Sequence, residues 1–145
     1  MAAEPWSMSL DDVTSALASV PLFSGFSQKQ IKLVAESGRE YKYKAGTTVV
    51  EDGSIGAGFY MVLNGKVEVR KGPRVLANLS NGQFFGEMSL IDGEPRSADV
   101  IAVQPTECFT LSTESFQALI KRHPELVLLM FRELAKRLRA AQSSD

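Results

Sequence analysis

Apolar side chains recur along this chain in three successive rhythms, and each predicts a different kind of element. In the first zone, residues 9–36, the spacing is helical. Asp11 followed by Val13, Leu17 and Val20 predicts one short helix, broken by Pro21 and Gly25. Ser27 is placed to cap a second helix: Gln30 stands three residues later as its capping-box partner, and Ile31, Val34 and Ala35 supply an apolar face.

From residue 40 to residue 112 the rhythm becomes that of short strands. Thr47, Thr48, Val49 and Val50 are all β-branched, which favours extended backbone. Residues 59–63 form an apolar run suited to a strand buried on both faces. Lys66, Val67, Glu68, Val69 and Arg70 alternate instead, which turns Val67 and Val69 inward. Asn64-Gly65, between these two runs, carries the signal of a two-residue hairpin. Further turns are predicted within residues 53–58 and at Gly72-Pro73, Asn81-Gly82 and Asp92-Gly93. Strands and turns this closely spaced indicate an antiparallel sandwich or barrel rather than βαβ units.

The third zone, residues 113–141, is helical again. Thr113–Arg122 reads as one helix, and His123-Pro124 interrupts it. Pro124 can open the next helix, because a first-turn N–H has no intrahelical partner. Leu126, Met130, Leu134, Leu138 and Ala141 then mark one face of a long helix, with a frayed tail over residues 142–145.

Composition narrows the function. A chain of 145 residues, 44% hydrophobic and 23% charged, suits one globular domain over residues 1–145. A net charge of −1 gives no general attraction to nucleic acid or anionic membrane, so any hold on a phosphate must be local. The apolar run 126–131 is too short to span a bilayer, and residues 1–6 lack the pattern of a signal peptide. Cys108 is the only cysteine, which suggests a buried, inert thiol in a cytoplasmic protein. His123 is the only histidine, too few for a cupin-like metal site, and nucleophilic catalysis is no better supported, since a Ser or Cys nucleophile would need a histidine or lysine base nearby.

One segment carries chemistry: Phe84-Phe85-Gly86-Glu87-Met88-Ser89-Leu90-Ile91-Asp92-Gly93-Glu94-Pro95-Arg96-Ser97-Ala98-Asp99-Val100. It predicts a strand end, a glycine, a one-turn helix over residues 87–91, a turn, and a returning strand that carries Arg96. Gly86 allows close backbone approach, and the N–H groups of Glu87, Met88 and Ser89 would be free to meet an anion. Arg96 can add a forked, charge-assisted pair of hydrogen bonds. Glu87 only accepts hydrogen bonds, which suits a sugar hydroxyl and not a phosphate oxygen. Together these groups suit a ligand with one phosphate beside a ribose hydroxyl. Spacing alone equally allows a surface ion pair between Glu87 and Arg96.

The segment closely resembles the phosphate-binding cassette of cyclic-nucleotide-binding domains, where Gly-Glu and a short helix precede Arg-x-Ala and an apolar residue. Gly86, Glu87, Arg96, Ala98 and Val100 hold those places. Pro21-Leu22-Phe23, Gly46, Tyr60 and Gly65 extend the resemblance, which covers residues 10–141. It implies an α+β fold: an antiparallel β-roll, a jelly-roll-like double sheet, flanked by N-terminal helices and a long C-terminal helix, with a short cassette helix. It also implies a non-catalytic regulatory module that binds cyclic AMP without a metal.

Carried over by position, the resemblance gives Glu87 the ribose 2′-hydroxyl and Arg96 the cyclic phosphate. Gly86 and Ser89 would offer backbone or hydroxyl hydrogen bonds, and Ser97 would sit beside phosphate and base. Phe85, Met88 and Ala98 complete the cassette contacts. Val69 and Leu76 match apolar positions lining the base pocket, and suit a plain core equally well. Met130, Leu134 and Arg137 are the candidates on the terminal helix for covering the purine. Ser54 stands where the family often has an acidic residue, at a place read as remote from the cassette. Ser97 follows the cassette arginine where guanine-preferring members often have threonine; since cyclic-AMP receptors also carry serine there, the hydroxyl alone does not decide, and cyclic AMP is the favoured ligand. The chain ends at Asp145 with no helix-turn-helix, so neither DNA binding nor membrane insertion is expected of it alone. The ligand-binding half of a transcription regulator or ion channel remains an alternative, as does a degenerate member that binds nothing. The terminal helix is the expected moving part, and a homodimer through it is a further option.

Overall fold

The chain opens in helices because its first zone has both caps and an apolar face to bury. In the computed structural model, which describes residues 9–55 and 57–143, α1 (Leu10–Leu17) starts where the Ser9 side chain accepts from the Asp12 N–H. A 3₁₀ turn at Pro21–Phe23 leads to α2 (Gln28–Ser37), whose start is fixed by both halves of the Ser27–Gln30 capping box. The expectation about residues 1–6 lies outside the described residues.

The strands are β1 (Arg39–Tyr43), β2 (Thr48–Val50), β3 (Phe59–Asn64), β4 (Lys66–Lys71), β5 (Arg74–Ser80), β6 (Phe84–Phe85), β7 (Asp99–Ala102) and β8 (Thr106–Leu111). A short helix, α3 (Ser89–Asp92), links β6 to β7. Among the described residues the strands form two antiparallel sheets, ordered β1-β8-β3-β6 and β2-β7-β4-β5. α4 (Thr113–Arg122) and α5 (Glu125–Ser143) follow. This is the expected α+β double-sheet roll with flanking helices.

Strand alternation explains the two layers of core. On β3, Phe59 and Met61 pack with Val13, Leu17, Phe23, Phe109 and Leu126 on the helical side, while Tyr60 and Val62 join Val67, Val100 and Cys108 inside the roll. The first sheet is therefore covered on both faces, which is why residues 59–63 show no polar alternation. Val67 is fully buried, and Val69 packs against the same inner cluster from its edge.

The Asn64-Gly65 hairpin does not form. β3 pairs with β6 and β8, and β4 with β5 and β7, so the chain turns a corner from one sheet to the other. β3 has neighbours on both edges, and Val62 and Val67 must meet across the roll rather than side by side. Gly65 lies at φ +123°, where a Cβ would come within 2.5 Å of Thr106 Oγ1. The two-residue hairpin is instead Gly72-Pro73, closing Lys71 against Arg74. On the same hairpin the register passes from Val69↔Ala77 to Arg70↔Val75, which makes Leu76 the extra residue of a β-bulge.

α5 uses only part of its expected apolar face. Leu126 and Met130 are buried and Leu134 is half-buried, but Leu138 is 62% exposed and Ala141 is exposed. The helix continues through Gln142 and Ser143, where fraying was expected. It is tied to the 3₁₀ turn by Ser24 Oγ, which donates to Glu133 Oε1 at 2.6 Å. Among the described residues no helix is long and apolar enough to cross a membrane.

Candidate functional site

Between β4, the end of β6 and the segment entering β7 lies a cleft of about 180 Å³, lined by Val69, Phe85, Ser89, Pro95, Arg96, Ser97, Ala98 and Val100. The fold thus brings together six of the expected ligand-binding residues with the cassette's Val100 and with Pro95.

Arg96 is its centre. It does not lie on β7 but in an irregular segment three residues before it, held by the backbone of Gly53 and Ser54. The Arg96 N–H donates to Ser54 O at 2.9 Å, and the Gly53 N–H donates to Arg96 O at 2.7 Å. Ser54 is therefore not remote from the cassette; it is a backbone partner of its arginine. Sequence spacing hid this, because 41 intervening residues are folded away between Ser54 and Arg96.

The Arg96 guanidinium donates to Ser89 Oγ at 3.3 Å and to the Gly58 carbonyl, and its Nε is buried without a partner among the described residues. Its Cζ lies 5.5 Å from the centre of the Phe85 ring, which in turn stacks on Tyr60 at 5.0 Å and 4°. Burial pulls the Arg96 pKa below the usual guanidinium value, with Tyr60 opposing the shift. The cation is thus costly to hold here, and an anion beside it would relieve that cost. Gly58 and Tyr60 were not singled out as site residues; a glycine in a turn and an aromatic in a strand gave no chemical signal of their own.

Gly86 makes this packing possible. At φ +81°, a Cβ would fall 2.0 Å from Arg96 Nη2 and 2.3 Å from Gly58 O. The following helix is shorter than expected, Ser89–Asp92 rather than residues 87–91, with Glu87 and Met88 forming a turn. The Ser89 N–H is consequently not free: it donates to Gly86 O at 3.1 Å. The Thr113 hydroxyl donates to Ser89 O at 3.4 Å, linking the cassette to α4.

Glu87 does not pair with Arg96. It is 16% exposed and meets Arg137 of α5, whose Nη1 lies 3.3 Å from Glu87 Oε1. Glu87 Oε2 and Arg137 Nη2 are both buried without partners among the described residues. Five expected site residues stand apart from the cleft lining: Gly86, Glu87 and Arg137, described above, and Met88 and Leu76. Met88 is 48% exposed, and Leu76 projects from the β5 bulge at 49% exposure. Met130 and Leu134 pack in the helical core or against it.

Cys108 faces the inner core, where burial pushes its thiol up to about 12, so it stays protonated at neutral pH and is no nucleophile. Among the described residues no three His, Cys, Asp or Glu groups gather into a metal site.

The model of the cyclic nucleotide-binding domain family matches residues 40–123. The cyclic AMP receptor protein of Thermus thermophilus is 36% identical over 126 residues, covering 83% of this chain and 58% of the receptor. The cGMP-dependent protein kinase, isozyme 1, of Drosophila melanogaster is 31% identical over 144 residues, covering 94% of this chain and 19% of the kinase. The N-terminal domain of a transcriptional regulator from Streptomyces coelicolor superposes with a TM-score of 0.80 at 28% identity, covering 88% of this chain and 95% of the other. The chain thus spans little more than half of the receptor and a fifth of the kinase. Matched by the family model over more than half its length, this chain belongs to the cyclic nucleotide-binding domain family.

Proposed function

We propose that this chain is a cytoplasmic sensor that binds one cyclic AMP in the cassette cleft, catalyses no reaction, and signals by repositioning α5. The observation that carries the reading is one corner of the fold holding both halves of the required chemistry. Arg96 is a desolvated cation with an unpartnered Nε, suited to a cyclic phosphate; Glu87 has an unpartnered carboxylate oxygen, suited to a ribose hydroxyl. Ser97 and Ala98 lie beside Arg96, with Val69 and Val100 as the apolar wall for a base. At about 180 Å³ the cleft is smaller than the roughly 300–1,000 Å³ usual for small-molecule sites, so part of a bound nucleotide would need cover from elsewhere. α5 already reaches the cassette through Arg137, which supports it as that cover.

Cyclic AMP is favoured over cyclic GMP by the higher identity to the Thermus receptor than to the fly kinase. The exposed apolar side chains Leu128, Phe131 and Leu138 support a further role for α5, pairing with a second copy of the chain.

Titration calorimetry on the wild type and Arg96→Ala tests the site. Removing one partner of a buried charged contact costs about 2–5 kcal/mol, so affinity should fall roughly thirtyfold or more. Equal affinities would remove Arg96 from the site. Competition with cyclic GMP tests the base, and a preference for it above about tenfold would reverse the choice of ligand.

A further inference from the structure

An apolar crevice of about 200 Å³ opens where α3, α4 and α5 converge. None of its described lining residues is shared with the cassette cleft. Leu90 and Phe116 give it a buried floor, and Ile91 and Phe131 stand at its rim, 40% and 59% exposed. Among the described lining residues only Gln117 carries a polar side chain, and none is charged. The gap has a local cause: α3 lasts one turn and ends at Gly93 in left-handed backbone, φ +66°, so it stops short of closing the space. Walls that face such a gap lose the dispersion contacts of a filled core. Water recovers little of that loss, because a held water needs about 2–4 polar partners.

We propose that this crevice is a second ligand site, which takes a neutral fused-ring aromatic of the indole class. Size and chemistry set the class. An apolar cavity of about 150 Å³ holds a benzene-sized molecule, so about 200 Å³ suits a fused pair of rings. Walls without charge exclude a carboxylate or an ammonium group, whose desolvation nothing there would offset. Phe116 and Phe131 offer ring contacts to an aromatic guest. The Gln117 side-chain carbonyl can accept from a ring N–H and so fix the guest's orientation. The guest also acts on signalling, a step that rests on the proposed function. Its walls belong to α3, whose Ser89 accepts from Arg96, and to α5, which reaches Glu87 through Arg137. Wedged between Ile91 and Leu134, it holds these two helices at their present spacing. Cyclic AMP, by drawing α5 over the base, must change that spacing. Guest and nucleotide therefore oppose each other, each weakening the other by the same factor.

Heteronuclear NMR of the full chain titrated with indole tests the site. Saturable shifts should fall on residues 90–91, 116–120 and 127–134, with a dissociation constant on the order of 0.1–1 mM. Phe131→Ala, at an exposed rim position where the fold tolerates change, should weaken indole about fivefold. N-methylindole, which lacks the N–H, should bind about fivefold more weakly than indole, and Gln117→Leu should erase that difference. Shifts that centre on Phe85 and Arg96, fail to saturate, or persist unchanged in Phe131→Ala would overturn the site. Calorimetry of cyclic AMP with the crevice filled then reads the coupling. Its affinity should fall about fivefold or more, and an unchanged affinity would overturn the regulatory role. Failure of the wild type to bind cyclic AMP at all would instead strike the proposed function and leave the indole site standing.

Discussion

At Gly86 the absence of a side chain decides whether the cassette can close. Its φ of +81° is costly for any L-residue with a Cβ, and the space a Cβ would enter is filled by Arg96 Nη2 and the Gly58 carbonyl. Gly86→Ala should destabilise the fold by about 1–3 kcal/mol, read as a lower denaturation midpoint, and should weaken nucleotide binding by displacing Arg96. Wild-type stability and affinity in that variant would show that the backbone does not approach the guanidinium in this way. Gly86 and Arg96 were legible in sequence, because a glycine before an acidic residue and a returning arginine each state a local need. The partner of Glu87 was not. Spacing offered Arg96, nine residues on, whereas the fold supplies Arg137, 50 residues away on another helix. Arg137 was singled out, but as a cover for the purine, since no local pattern joins it to the cassette.

Elements were legible where one segment meets its own needs. The Ser27–Gln30 capping box, the α4–α5 break at His123-Pro124 and the doubly buried β3 all follow from neighbouring residues. Asn64-Gly65 shows the limit: its pattern correctly marks a special backbone turn but says nothing about which strand edge is available for pairing. The difference between a corner and a hairpin can be measured. Gly72→Ala, at φ +58° with nothing within 4 Å of a new Cβ, should cost about 1 kcal/mol. Gly65→Ala, at φ +123° against Thr106 and Pro105, should cost about 3 kcal/mol or more. Chemical denaturation of both variants gives the comparison, and equal losses would mean that Gly65 does not pack against the β7–β8 turn.

For the whole molecule, the question is how a change at the cassette reaches the surface. A binding module can signal only through a ligand's unequal affinity for two conformations, so some element must have two places to be. The two sheets are poor candidates, with both cores filled and every strand paired among the described residues. α5 is a better one. Its first half is anchored by Leu126 and Met130, whereas its second half is held by little beyond Leu134 and the Arg137–Glu87 contact. Hydrogen exchange with and without cyclic AMP should therefore show protection gained across residues 124–141 beyond any gain in the strands. The exposed stripe of Leu128, Phe131 and Leu138 could produce the same gain by pairing two chains, so sedimentation must accompany the exchange. Protection gained at constant monomer mass marks a lid, whereas protection that rises with dimer mass marks an interface. If protection appears only across residues 86–98, α5 is a fixed part of the core and the proposed route of signalling is wrong.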